Sequence, residues 1–510
     1  MRVSSIILLT AVGVFAAGPA RPALLLNAIW DPETTLTAPT YTSETDGAPG
    51  GQKVAVSRNR QIHVLFHSNR GGVVPQTWYK CFDPVYGWTP ETCISSDVAQ
   101  LQPAATPTVA VDPQGNVHVA WGPREGVQEI RYKMRTAAGV WDSISTLLST
   151  ESERIKGNPT IACTPDSHVH VVWRQLRPEG GTLLVYREKA GSEWSRPCTV
   201  EFVDSFASIN APCISPSPDN SVHLVWHGPV PNGPYRSQVY YRCRTGSFWG
   251  PREQVSVGSD SFDQSVATVA VDPTTGEPHA AWGGATDASG SRRLFHTRRT
   301  QGAWLTRDTV SEPGASRQNS PSLCFTPDGV GHVVWRGSDE TAYSIIRYSE
   351  RNPSGQWHLP VDLTPLPASR SWAVMNNGGS SVDSNHVYVV WTDSRSGTRR
   401  VYFRHGAPSP QGIEWDEQTH LNTVSIPGLQ VFGQGRVAYV VGQAGMVQLG
   451  IYDASGRLVK PLVNRNQPPG TYKTFWDGTD VSGRRTAAGV YFCRLVAPGT
   501  QMVKKTAAVK

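Results

Sequence analysis

Seven times along the chain a polar turn gives way to a short apolar run that ends on an aromatic ring. The runs are His63–Phe66 (HVLF), His118–Trp121 (HVAW), His170–Trp173 (HVVW), His223–Trp226 (HLVW), His279–Trp282 (HAAW), His332–Trp335 (HVVW) and Tyr388–Trp391 (YVVW). Their aromatic ends advance by 55, 52, 53, 56, 53 and 56 residues, steps too even for chance. Turn signals such as Asp112-Pro113-Gln114-Gly115 and Pro218-Asp219-Asn220 stand before most of them. Behind each comes a further run of the Tyr-Arg type, as in Ile130–Lys133, Leu184–Arg187 and Val239–Arg242. A glycine turn closed by tryptophan follows, at Trp88, Trp141, Trp194, Trp249, Trp304, Trp357 and Trp415. Alternation with period two marks these runs as strands, and no helical period separates them.

Four short strands per block, repeated at near-constant spacing, predict an all-β fold: a seven-bladed β-propeller of four-stranded blades. The blades fall at roughly 51–95, 104–150, 157–203, 210–257, 265–311, 318–364 and 372–423, within a propeller spanning 24–424. Ahead of them, Trp30-Asp31-Pro32 through Thr37 has the character of an outermost strand. It is expected to close the ring as an extra or replacement outer strand on the seventh blade, which would hide an otherwise adhesive edge. After about Ser425 the period stops. Residues 428–510 carry short alternating strands (Val437–Val441, Val447–Tyr452, Thr471–Trp476, Val490–Leu495, Met502–Val509) and hairpin turns at Asp453–Gly456 and Asp477–Gly478, which predicts a small β-sandwich.

Composition narrows the setting. Met1 and Arg2 lead into an apolar run, Ile6–Ala17, followed by small residues, so residues 1–23 read as a secretory signal peptide. No later stretch is long and apolar enough to span a bilayer. The net charge of +6 is modest and the basic residues are interspersed with acidic ones, which argues against a nucleic-acid partner or a polybasic membrane patch. Eight cysteines show no CxxC or zinc spacing, and only Cys81 and Cys93, flanking one tight turn, are disulfide candidates. Cys163, Cys213 and Cys324 fit buried small hydrophobes.

The turns Lys189–Trp194, Arg244–Trp249 and Gln301–Trp304 keep the glycine and tryptophan of a Ser/Thr-x-Asp-x-Gly-x-x-Trp pattern but not its aspartate. In this the repeats resemble the Asp-box (BNR) branch of the sialidase-like propellers, over nearly 400 residues. That resemblance implies the fold. A sialidase also needs an arginine triad, a tyrosine–glutamate pair and an Arg-Ile-Pro motif, and no Arg-Ile-Pro occurs here, so no catalytic residue carries over. The tail is a closer match. Ile451–Arg457, Trp476–Asp480 and Ala488–Phe492, in that order, resemble the Ig-like domain of the flagellar hook-capping (FlgD) family. They are similar also to the C-terminal sorting domains of type IX secretion cargo. This implies secretion machinery as one partner and a place at the bacterial cell surface, associated with the outer membrane.

Six of the seven runs open on histidine, but equivalent strands of separate blades cannot converge within about 2.1 Å of one metal ion. Those histidines are expected to satisfy backbone or neighbouring-blade hydrogen bonds, and the repeated tryptophans to pack blade against blade. Ligand contacts are sought in the loops after each second strand, which share a face with the blade-to-blade connections. There lie Arg70, Arg124, Arg174, His227, Arg336, Asp393 and Arg395, with Asn69, Glu125, Asp287 and Asp339 nearby. Guanidinium forks with interspersed carboxylates suit sugar acids, sulfated glycans or an acidic protein loop. No motif calls for a cofactor, a metal or a catalytic nucleophile; Asp477 and Asp480 are explained by a hairpin turn without calcium. The leading expectation is a secreted carbohydrate-binding or adhesion propeller. A sialidase-like exo-glycosidase with a diverged site and a structural surface protein are its alternatives.

Overall fold

The computed structural model describes residues 29–38, 40–44, 51–70, 74–97, 105–122, 129–149, 156–177, 179–204, 209–230, 236–256, 261–287, 290–312, 316–338, 344–364, 381–383, 386–395, 397–407, 429–431, 436–467, 470–476, 478–482, 484–487 and 489–508. The signal-peptide expectation, Trp415, Arg124, Glu125, Asp339 and Asp477 lie outside them. The described residues divide into two compact units, 29–407 and 429–508.

In the larger unit the described strands form seven antiparallel sheets, here numbered by their second strands: Ile62–Ser68, Val117–Trp121, Val169–Leu176, Val222–Pro229, Pro278–Ala285, Gly331–Ser338 and His386–Asp393. Each second strand pairs with an inner strand that precedes it and a third strand that follows it. In sheet 3, for example, Val169–Leu176 lies between Lys156–Cys163 and Thr182–Ala190. The outer strand is split into short pieces, such as Glu193–Trp194 and Cys198–Val203, which pair with the same third strand. Sheet 7 takes its outer strand from the other end of the chain: Trp30 pairs with Gly406 and Thr34 with Phe403. Sheet 1 differs from expectation, because Ser43–Glu44 also pairs with His67–Ser68, beyond the end of its three-residue inner strand Val54–Val56.

Apolar clusters join each sheet to the next. Val119 and Trp121 of sheet 2 pack with Leu65 and Tyr79 of sheet 1, and Phe66 and Val64 of sheet 1 pack with Val390 and Phe403 of sheet 7. Phe66 and the six second-strand tryptophans are at most 1% exposed, each contributing roughly 2–3 kcal/mol by burial. The tryptophan of each outer strand packs edge-on against a third-strand ring of the sheet before it: Trp141 on Tyr79, Trp194 on Tyr132, Trp249 on Tyr186, Trp304 on Tyr241 and Trp357 on His296. Trp30 does the same on Tyr348, and Trp88 on Phe403.

The strand histidines bond within their own sheet rather than to backbone or a neighbouring blade. Nδ1 of His63, His118, His170, His223 and His332 lies 2.7–2.8 Å from the hydroxyl of Tyr79, Tyr132, Tyr186, Tyr241 and Tyr348. In each, Nε2 meets a side chain near the preceding turn, as in His170 with Thr164 Oγ1 at 3.0 Å. His279 instead faces His296 at 2.9 Å. The tyrosine stands between strand histidine and next-sheet tryptophan, so one residue serves a hydrogen bond and a packing joint.

All eight cysteines are free thiols, which corrects the expected Cys81–Cys93 bridge. Cys93 pairs across from Trp78, whereas Cys81 lies three residues further along that strand, opposite Thr89. An odd offset turns the two side chains to opposite faces, about 10 Å apart along the strand, beyond the reach of a disulfide. Cys213 is buried as expected, while Cys163 and Cys324 are only partly so.

The smaller unit has a three-stranded sheet (Leu429–Val431, Arg436–Val441, Gly470–Phe475) and a four-stranded one (Leu458–Gln467, Gly445–Tyr452, Gly489–Ala497, Thr500–Ala508). Leu429, Tyr439, Leu449, Ile451, Cys493 and Leu495 share one core between them. Among the described residues no helix is long and apolar enough to cross a membrane.

Candidate functional site

The residue that follows the buried second-strand tryptophan is Arg174 in sheet 3, His227 in sheet 4, Gly283 in sheet 5 and Arg336 in sheet 6. These positions are equivalent in register: they pair with Gly157, Asn210, Ser265 and Asn319 at the head of each inner strand. Just beyond that pairing each inner strand bulges. The bulged residue has a left-handed backbone without being glycine: Asn158 (φ 52°), Ala211 (φ 48°), Val266 (φ 53°) and Ser320 (φ 53°). Proline follows in three of the four, and its missing N–H suits a gap in the ladder. Such a conformation costs about 1–3 kcal/mol per residue, and four adjacent sheets bear it at one place.

At this edge the side chains of neighbouring sheets meet. Asn158 Nδ2 donates to Asn210 Oδ1 at 2.8 Å, linking sheets 3 and 4. The Val266 amide of sheet 5 donates to His227 Nδ1 at 3.2 Å. A backbone N–H can only donate, so the neutral imidazole carries its proton on Nε2. Sheet 5 reaches the same place by another route. Gly283 has no side chain, and the guanidinium of Arg292, from the third strand, extends to Ser265 Oγ at 2.6 Å. Arg174, His227, Arg292 and Arg336 are all partly exposed.

Burial pushes the His227 pKa down to about 4, assisted by Arg292 and Arg174 and opposed by Asp263. Burial likewise holds Arg174, Arg292 and Arg336 below the usual arginine value; Asp263 opposes this at Arg292, and Arg317 adds to it at Arg336. The arc is thus a row of half-desolvated cations around a neutral imidazole. That setting favours an anion capable of paired hydrogen bonds with guanidinium. Among the described residues no three histidine, cysteine, aspartate or glutamate side chains gather as metal ligands.

The other expected site residues lie elsewhere. Arg70 is ion-paired with Glu91 and lies 4.2 Å from the centroid of the Trp78 ring. Arg395 is paired with Glu33 of the N-terminal segment and with Asp393 Oδ2 at 3.0 Å, and it covers the Tyr402 ring. Asp393 is 1% exposed. These three hold sheet edges and the chain closure rather than joining the arc. Arg292, Ser265, Asn158, Asn210 and Arg317 were missed. The available signal was glycine at position 283, where sheets 3, 4 and 6 carry arginine or histidine, and the recurrent X-Pro at the inner-strand heads.

Comparison with known proteins agrees with this architecture. Residues 429–500 match the family described as the FlgD Ig-like domain. No curated protein matches the chain. Among solved structures, a polysaccharide lyase, an ulvan lyase bound to -[GlcA(1-4)Rha3S]-, aligns with a TM-score of 0.50 at 11% identity, over 71% of this chain and 94% of its own. An α-L-arabinofuranosidase of Fusarium graminearum aligns at 0.46 and 13%, over 61% and 94%. A Hadza microbial sialidase aligns at 0.41 and 13%, over 67% and 75%. Identities this low speak to fold alone, and the fold the chain shares with the lyase is all-β, built of four-stranded antiparallel sheets.

Proposed function

We propose that this chain is an exported bacterial protein whose first unit, a closed seven-bladed propeller, binds an anionic glycan or an acidic surface partner. Its Ig-like tail serves as a type IX sorting domain that brings it to the cell surface. The binding reading is carried by one observation: four consecutive sheets deliver Arg174, His227, Arg292 and Arg336 to a single partly exposed edge. The apolar cluster that returns from sheet 7 to sheet 1 supports ring closure. The FlgD Ig-like match supports the sorting role.

A catalytic reading has one observation in its favour. His227 is neutral at physiological pH, fixed in tautomer and flanked by guanidinium groups, a setting in which its Nε2–H can donate a hydrogen bond to an oxyanion developing on a bound sugar acid. The full chain should retain acidic glycans on a glycan array and ignore neutral ones. Release of reducing ends from a retained glycan would convert the binding protein into a glycoside hydrolase or lyase. Retention of no acidic glycan would sink both. Cells producing the chain without residues 428–510 should keep it within the envelope, and normal surface delivery of that truncation would refute the sorting role.

A further inference from the structure

Building on the glycan-binding reading above, we infer that the arc holds an internal stretch of a polyanionic oligosaccharide, with one acid group at Arg174–His227–Arg292 and another at Arg317–Arg336. The equivalent register positions of sheets 3 to 6 read Arg, His, Gly, Arg, so the cations are not evenly spread. Arg292 bends toward the sheet 4 side of the gap, where it meets Ser265 and acts on His227. On the other side the Asn319 carboxamide fills the floor: its Oδ1 lies 2.7 Å from where a Cβ on Gly283 would be. The floor between the groups is therefore an uncharged glycine and carboxamide.

The electrostatics follow the same division. The charges that act on His227 are Arg292, Arg174 and Asp263, while the one that acts on Arg336 is Arg317. Arg317 stands two residues before Asn319, the register partner of Arg336, and its charge adds to the cost of ionising Arg336, which an anion between them relieves. A single terminal sugar acid occupies one cationic group and leaves the other idle. A chain with an acid on one unit, an uncharged stretch and an acid further on satisfies both. Carboxylate and sulfate share the required chemistry, a planar or tetrahedral anion accepting forked N–H bonds.

Titration calorimetry of the full chain with mono-, di- and tetragalacturonate, and with sulfated galactose oligomers of the same lengths, tests the inference and tells carboxylate from sulfate. The longest acid should bind at least about tenfold tighter than the monosaccharide, the gain of one further charge-assisted pair. Arg336→Gln and Arg174→Gln should each abolish most of that gain, bringing the tetramer to within about twofold of the monosaccharide. Arg336→Lys, which keeps the charge, should restore part of the gain and guards against a folding defect. Monosaccharide binding within about twofold of the tetramer, or equal weakening of all lengths by Arg336→Gln, overturns the two-group inference while leaving the glycan reading intact. Binding of none of these acids overturns both.

Discussion

At the scale of single residues, most of the polar groups in this protein are structural, and their roles follow from what surrounds them. Trp282 Nε1 donates to Gln264 Oε1 at 2.8 Å inside sheet 5. A Cβ on Gly284 would sit 1.9 Å from that oxygen, so glycine is required for the glutamine to reach the indole. Gly284→Ala should therefore cost about 1–3 kcal/mol by stranding a buried N–H. Gly228→Ala, at the equivalent place in sheet 4, meets nothing closer than Ile209 at 3.6 Å and should be near neutral. Chemical denaturation of the two variants decides it, and equal losses would disprove the argument. Arg174, His227 and Arg336 were legible in the sequence because each directly follows a motif aromatic. Arg292 was not, because its place depends on a side chain absent from the neighbouring strand. Arg70 and Arg395 were grouped with the site because strand periodicity does not say where a loop side chain turns.

Strands tell a similar story. The closing role of residues 29–37 was readable because Trp30-Asp31-Pro32 repeats the outer-strand pattern, and the pairing of Trp30 with Gly406 follows it. The indole lies on Gly406, where a Cβ would approach ring atoms to 3.1 Å. Arg404 Nε donates to the Asp31 carbonyl at 2.9 Å, Arg400 NH2 to that of Thr37 at 2.8 Å, and the His405 imidazole faces the Asp31 carboxylate. If this joint equals the others, Trp30→Ala should lose about 3 kcal/mol, the same as Trp194→Ala. A urea titration in which Trp30→Ala costs under half as much would show the closure to be ornamental. Leu458–Gln467 escaped the sequence reading because it is an edge strand interrupted by Pro461, beside a register shift, and proline in a run argues against a strand. Ser43–Glu44 is too short to show any period.

For the molecule as a whole, the buried histidines set an acid limit. Burial pushes His63 and His332 down to about 3, and His170, His223 and His296 to about 4, from an ordinary 6.5. Below pH 6.5 the unfolded chain takes up protons that the folded chain refuses, so stability is full above that pH and falls toward pH 4. Each such histidine costs about 1.4 kcal/mol per pH unit in that window. Melting temperatures measured from pH 7.5 to 4.5 should fall throughout the descent below 6.5, and a flat profile would contradict the burial of these rings. The seam between sheets 7 and 1 has a different consequence, one of timing. Trp88 waits for Phe403, Trp30 for Tyr348 and Asp31 for His405, 374 residues later in the chain, whereas the joints from sheet 1 through sheet 6 draw both partners from adjacent repeats. As the chain is made, five joints can therefore form in turn while residues 29–37 remain uncommitted, and sheet 7 is completed only after its last strand, Arg400–Ala407, has emerged.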